Sequence, residues 1–481
     1  MEPNPPLERR TNPSKSQARD QSGFADKWWV LLAIGIGTFM SALDGSVVNT
    51  ILPVINASFA SQVAAVEWVI TVYLLVLSGL LLSFGRLGDM QGHKMVYLLG
   101  FAIFILSSAL CGLAPSVTML VLFRSIQAVG AAMLSANSPA ILTKSFPASQ
   151  RGQALGLQAT MTYLGLTVGP SLGGWLTDAL GWRAVFYINM PVGLLAFALS
   201  YRFIQADRPE KISEHFDLAG AALFVAGLVA LLLGLNQGHA LGWTSPLILS
   251  LLAGSLLLFT IFIRIERSTA YPVLDLGLFK FRLFSASTFS AVLNYICVYT
   301  IMFLMPFYLI QGKNLSAAAA GGILTAMPIV MAVVAPISGT LSDRFGTRLL
   351  TAAGMICLAL GLLLLSKLNQ SSQIWQIAQA LGVAGLGIGM FISPNNSALM
   401  GSAPKNRQGI AAGIMATARN VGMVLGIGFS GAIFTTLLSQ QGTSSAASLA
   451  HATQASFLVA AGIAVLGMII TLVRPERAEG K

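Results

Sequence analysis

Two charged residues interrupt stretches that are otherwise apolar enough to cross a lipid bilayer: Asp44, in Leu43-Asp-Gly-Ser-Val-Val-Asn49, and Arg124, in Arg124-Ser-Ile-Gln127. An ionisable group at bilayer depth costs about 2.5–3.5 kcal/mol on insertion scales, so such residues mark ion pathways, proton relays or ligand sites. A carboxylic acid there suits proton binding and release, because burial favours its neutral form and a nearby guanidinium its charged form. At about 1.5 Å per helical residue, Asp44 falls about 24 Å from the inner surface and Arg124 about 10 Å below the outer one. In a hydrocarbon core of about 30 Å these depths match, which predicts that Asp44 carries a proton and that Arg124 tunes it. Only Glu67, at the outer start of its span, is a second acid away from tails, loops and inner helix ends, and it is expected to be solvated. Arg419 lies near the middle of its span with no acid at its depth in the same half. Backbone carbonyls, a solute path and a bound carboxylate all remain open as its partner. The span amides Asn49, Gln127, Asn137, Asn294 and Asn395, together with Arg419, are expected to line a substrate pathway; Asn396 and Asn420 are further amides at depth.

Enzyme chemistry has no constellation here. His93, His215, His239 and His451 are scattered, Cys111, Cys297 and Cys357 fall in three different spans, and no close Cys/His grouping suggests a metal or nucleophile site. No phosphate-binding loop of the ATP-driven type occurs. A non-enzymatic protein without cofactor or metal is expected, and His93 is expected to be solvated.

The elements that position these residues follow from composition. With 55% hydrophobic and 9% charged residues and a mean hydropathy of +0.76, against about 25% charged in soluble proteins, the chain is an all-α polytopic membrane protein. Segments of roughly twenty apolar residues fall near 28–53, 66–85, 95–114, 117–142, 153–177 and 184–203, then 216–236 and 245–264. Six more follow near 284–310, 316–341, 348–367, 373–400, 408–437 and 455–473. That pattern predicts fourteen transmembrane helices: a six-helix bundle over 28–203, two inserted helices with a linker over 204–283, and a second six-helix bundle over 284–473. Residues 1–27 read as a disordered tail and 474–481 as a second tail. The formal net charge of +11 does not indicate nucleic acid, because the bases are spread through short turns. Nearly all of them fall in the two tails and alternate loops, while the other loops hold only Arg183, Lys313 and Lys367. This asymmetry places both termini in the cytoplasm.

Two stretches repeat. Gly85-Arg86-Leu-Gly-Asp89-Met-Gln-Gly92-His-Lys94 returns as Gly339-Thr-Leu-Ser-Asp343-Arg-Phe-Gly346-Thr-Arg348, each between apolar segments, so the chain contains a duplicated unit. The glycines permit a tight reversal, Asp89 is suited to cap a helix N-terminus, and Arg86 and Lys94 hold the turn inside. Further on, Gly165, Gly169 and Gly173 recur every four residues and give one helical face without side chains, able to press on another helix. Pro170 loosens the backbone there.

Five motifs in order give the chain a resemblance to the major facilitator superfamily, and within it to the fourteen-helix drug/proton antiporters. They are Leu43 to Pro53, Gly85 to Lys94, Arg124 to Gly130, Gly165 to Gly174 and Trp182 to Gly193. The resemblance implies two bundles that rock about a central site. It implies a cytoplasmic latch made by Gly85, Arg86, Asp89, Gly92 and Lys94, with Asp343 in the second copy, that stabilises the outward-facing state. His93 stands where the family usually has arginine, which would weaken that latch. It also implies that the Gly165, Gly169, Pro170, Gly173 and Gly174 element, typical of antiporters, seals one half against the other. The expected function is a proton-coupled antiporter that exports amphipathic organic compounds or drugs across the cytoplasmic membrane by alternating access. An interior rich in Phe, Met and Leu suits adaptable apolar binding. The alternative is a proton-coupled symporter or facilitator for a polar nutrient or metabolite, which the amides at depth favour. Expected partners are protons, a small amphipathic substrate that is monocationic or neutral, and the lipid bilayer, with no nucleic acid and a functional monomer.

Overall fold

The computed structural model describes residues 13–147, 150–206, 218–268, 276–404, 408–440 and 446–475. Every regular element among them is helical, as a chain in lipid requires when each backbone polar group must be satisfied within its own segment. The first half holds α1 (Pro13–Ser58), α2 (Val63–Gln91), α3 (His93–Leu113), α4 (Val117–Ser145), α5 (Arg151–Leu180), the one-turn α6 (Ala184–Tyr187) and α7 (Asn189–Phe203). Next come α8 (Leu218–Leu241) and α9 (Pro246–Ser268). The second half holds α10 (Arg282–Phe307), α11 (Ala317–Leu324), α12 (Ala326–Phe345), α13 (Thr347–Leu365), α14 (Ile374–Ser402), α15 (Gln408–Gln440) and α16 (Ala446–Val473). Among the described residues, twelve helical segments are long and apolar enough to cross a membrane. The expected count of fourteen adds α5 and the shorter apolar stretch Ala222–Gly238 of α8.

The duplication seen in the sequence is a duplication of packing. In the first bundle α1 lies along α5 and α7, and α4 along α2 and α3; in the second α10 lies along α15 and α16, and α14 along α12 and α13. Small residues permit the same close approach in both. A Cβ at Gly130 of α4 would lie 2.7 Å from the Gly100 carbonyl oxygen of α3, and one at Gly354 of α13 would lie 2.8 Å from that of Gly387 on α14. Backbone contact of this kind supplies the van der Waals packing that holds helices together where no hydrophobic effect operates. The inserted helices α8 and α9 pair with each other, and α8 lies against both α2 and α15.

Three expectations change. Residues 13–27 continue α1 rather than forming an irregular tail: extending an existing helix needs no new nucleus, and Pro13 is acceptable in a first turn. The repeated motif is not a loop, because α2 runs through Gly85 and Asp89 to Gln91, and the reversal is confined to Gly92 at φ 96°. Its counterpart Gly346 turns at φ 81° between α12 and α13. Both sit in the left-handed region that glycine alone enters freely. Asp89 consequently lies in the last turn of α2 and caps no N-terminus.

We call the end where α1 passes Lys27 and α16 reaches Val473 the near end. The two bundles meet tightly at the far end. Asp178, at the end of α5, accepts hydrogen bonds from the amides of Ala317 (3.2 Å) and Ala318 (2.9 Å), the first residues of α11. Negative charge at a helix N-terminus is stabilising. The Ser171 and Thr325 hydroxyls hydrogen-bond across the bundles at 2.7 Å, and Gln311 Nε2 donates to the Pro53 carbonyl at 3.4 Å.

Candidate functional site

Asp44 and Arg124 meet. Arg124 and Gln127 are three residues apart on α4 and so share a face, which α4 turns toward α1. The Asp44 carboxylate accepts from Arg124 Nη1 (2.5 Å), Gln127 Nε2 (3.1 Å) and Asn189 Nδ2 (2.8 Å). The guanidinium also donates to Gln127 Oε1 (2.7 Å) and, through Nε, to the Val69 carbonyl of α2 (3.2 Å). It lies 4.1 Å above the ring of Tyr73, a favourable cation–π arrangement. Ser108 of α3 receives Gln127 Nε2 at 2.7 Å. Asp44 is 2% exposed and Arg124 0%, so five helices enclose a neutral pair. Removing one member of such a buried pair costs about 3–5 kcal/mol, because the other is left uncompensated.

The glycine face of α5 sets the position of Asp44. Cβ atoms at Gly165 and Gly169 would lie 2.6 Å from the Phe39 carbonyl oxygen and the Ser46 Cβ, and one at Gly173 would lie 2.5 Å from Val47 Cγ1. The helix that presses on α1 therefore does so on either side of Asp44. Pro170 lacks the N–H that would bond to the Leu166 carbonyl, and that carbonyl accepts from Ser46 Oγ instead, at 3.1 Å. One turn beyond, Gly174 meets the backbone of Ala317, and Gly321 of α11 meets that of Pro170. The same short element thus contacts α1 within its own bundle and α11 in the other.

The remaining candidates separate into groups. Asn49 is buried in a small cavity between the bundles, with Thr50, Pro170, Met302 and Met327, and its carbonyl oxygen has no hydrogen-bond partner. Arg419 is exposed. Asn137, Asn294 and Asn395, expected on the pathway, lie inside the bundles. Asn137 accepts from His93 Nδ1 (2.8 Å) and donates to the carbonyls of Phe84 (3.1 Å) and Met133 (2.8 Å). Asn294 donates to Met355 Sδ at 3.5 Å. Asn395 donates to the Ser287 carbonyl (3.0 Å) and accepts from Arg474 (3.1 Å). The side chain of Asp343 lies outside the described residues, as do His215 and the side chain of His239.

Three charged or titratable groups depart from expectation. His93 is buried, bonded to Asn137 and 3.3 Å from Asp89; the abrupt turn at Gly92 drops it against α4. Glu67 is buried too, accepting from Asn236 Nδ2 at 3.1 Å and facing Gly431 of α15. The inserted helix α8 covers it. Arg474, assigned to the tail, is buried among Ser287, Thr347, Thr351 and Asn395 of the second bundle. Burial, and secondarily Arg348, pulls its guanidinium down to about 10, still charged at neutral pH.

The half-exposed Asp89, with buried His93 and Asn137, thus forms a link from the end of α2 to α4, beside Lys94, which donates to the Tyr201 carbonyl of α7 at 2.9 Å. Asp89→Asn is expected to leave the protein inserted and folded, slow turnover several-fold and shift the balance of inward- and outward-facing states. Cysteine accessibility from each side of the membrane measures that balance. If both balance and transport are unchanged, Asp89 is a turn residue only.

Two helical bundles of like packing that close on each other at one end, the first enclosing a buried ion pair, are the architecture of a membrane transporter. The chain belongs to the Major Facilitator Superfamily, whose family model matches residues 34–287, 214–427 and 287–481. It is 35% identical to the riboflavin transporter RibZ of Clostridioides difficile, over 93% of this chain and 97% of that protein. It is 32% identical to the multidrug resistance protein Stp of Mycobacterium tuberculosis, over 85% and 76% of the two chains, and 32% identical to the multidrug transporter protein MdtP of Bacillus subtilis, over 83% and 73%. Its fold matches a bacterial homologue of the human lysosomal transporter Spinster, in an inward-facing and occupied conformation, with a TM-score of 0.69 at 15% identity, covering 92% of this chain and 96% of that one.

Proposed function

We propose that this carrier is a proton-coupled antiporter of the fourteen-helix drug-export type, which moves amphipathic organic compounds out across the cytoplasmic membrane as a monomer. The observation that carries the reading is the Asp44–Arg124 pair, held between α1 and α4 and pressed by the glycine face of α5 that also closes the far end. Rocking of the bundles bears on α5, and α5 bears on Asp44. Loosening α1 from α4 would leave a carboxylate without its cation at bilayer depth, a costly state that a proton relieves. Asp44 takes a proton in the outward-facing state, where cargo leaves, and gives it up in the inward-facing state, where cargo enters. The names of Stp and MdtP support export. RibZ supports a second reading, carriage of a polar heteroaromatic metabolite. Proteoliposomes holding a pH-sensitive dye separate them: imposed proton gradients drive amphiphiles against the gradient in the first case, whereas cargo moving with protons, or without them, identifies the second.

With both termini in the cytoplasm, α5 and α8 each cross the membrane and bring the spans to fourteen. Reporter fusions after Gln237, near the far end of α8, and after Lys481 are expected to read outside and inside respectively. An inside reading after Gln237 removes or inverts the inserted pair.

A further inference from the structure

We infer that Arg419, with Tyr163, Tyr295 and Tyr299, is the cargo-recognition site, and that it selects planar aromatic compounds with a hydrogen-bond-accepting edge while rejecting organic cations. The inference deepens the carrier reading above by naming its substrate class.

Arg419 lies about 17 Å along α15 at 1.5 Å per residue, which is mid-depth. Unlike Arg124 and Arg474, it is exposed, and it makes no hydrogen bond or ion pair with any described residue. A guanidinium with five unused donors at that depth is costly to hold unless water or a ligand satisfies it. Its surroundings are aromatic and come from both bundles: Tyr295 and Tyr299 of α10 and Tyr163 of α5 all lie within its electrostatic reach. Glycines place the first two. A Cβ at Gly422 would lie 2.8 Å from the Cβ of Tyr295, and one at Gly426 would lie 3.1 Å from that of Tyr299, so α15 settles onto the roots of these side chains one and two turns beyond Arg419. The next residue, Asn420, is buried with an amide nitrogen that has no partner. Tyr299 also lies within electrostatic reach of Tyr73, the ring beneath Arg124, so the site faces the Asp44–Arg124 pair from the other bundle.

The free groups decide the cargo. Asp44, the acid that would attract a cation, already accepts three hydrogen bonds, one from Arg124. A cationic cargo would meet an unopposed guanidinium. A planar compound with carbonyl oxygens along one edge would accept from Arg419 and stack its face on the tyrosines, gaining both terms. Of the two cargo charges the sequence allows, monocationic or neutral, this site favours the neutral one.

Matched tricyclic probes test this on purified full-length protein, with binding followed by probe fluorescence. Acridone presents a carbonyl, and 9-aminoacridine is a cation at neutral pH. Wild type is expected to bind acridone at least about tenfold more tightly, the scale of one charge-assisted hydrogen bond. Arg419→Gln should weaken acridone and strengthen 9-aminoacridine, while Arg419→Lys keeps the wild-type order and Tyr299→Leu weakens acridone alone. Thermal unfolding checks that each variant is folded. Tighter binding of 9-aminoacridine by wild type, or no change in either probe in Arg419→Gln, overturns the inference. The antiport reading fails separately: the binding pattern can hold while no proton moves, and protons can be exchanged for cargo by a protein that ignores Arg419.

Discussion

Asp44→Asn is expected to abolish transport driven by a pH gradient while preserving exchange of labelled for unlabelled cargo across the membrane. Asparagine has the shape of the protonated acid, can still accept from Arg124 through its one oxygen, and cannot bind a proton. The bundles can therefore rock, and cargo can cross on a shared carrier, but nothing couples that motion to the gradient. The variant also leaves the Arg124 charge without its counterion, a destabilisation of about 3–5 kcal/mol by the cost of breaking a buried pair. The hydrogen bonds to Val69 and Gln127 and the ring of Tyr73 remain to hold the guanidinium, so correct insertion is to be confirmed by thermal unfolding before transport is scored. Full gradient-driven transport by this variant would move the coupling group elsewhere, with Glu67 next in depth.

The second large effect is expected at the far end. Gly174→Val and Gly321→Val each drive a branched side chain into backbone, the first toward Ala317 and the second toward Pro170. Backbone cannot step aside as a flexible side chain does, so the closed far end is strained by about 1–3 kcal/mol, the usual cost of overpacking. The open far end carries no such strain. A difference of about 1–3 kcal/mol shifts a two-state equilibrium about 5- to 150-fold, so both variants should accumulate with the far end open and lose most of their turnover. Gly156→Val, on the same α5 but with nothing within 4 Å of the added atom, supplies the control. Cysteines placed at Ser171 and Thr325 report the opening; equal labelling in wild type and in both valine variants contradicts the account.

Much of this was readable from residue order. The spans, the duplicated turn and the resemblance that names the family follow from apolar runs and motif order. Depth counting brought Asp44 and Arg124 to one level, where the structure joins them. The glycine face of α5 was legible as a contact, though not that its partner would be the helix bearing Asp44. What failed were judgements of exposure. Glu67 reads as a helix-end acid because nothing in its own span says that α8, more than 160 positions later in the chain by its bond to Asn236 (169 apart), lies over it. Arg474 follows the last apolar residue of its span, yet four neutral acceptors from other helices bury it. Asn137 and Asn395 read as pathway amides because rotation about a helix axis is not visible when a span is apolar on every face. Asn189 stood in a quoted motif, but nothing in that motif says that the start of α7 lies beside Asp44, where Asn189 is its third donor.

The central claim is that cargo and a proton exclude one another through Asp44. It is tested most directly by adding cargo to purified protein in weakly buffered solution with a pH indicator, near the pH at which the carrier is half-protonated. The account predicts release of protons on cargo binding, up to about one per carrier by linkage, from wild type and none from Asp44→Asn. Cargo binding to wild type without proton release, or the same release from Asp44→Asn, would contradict it.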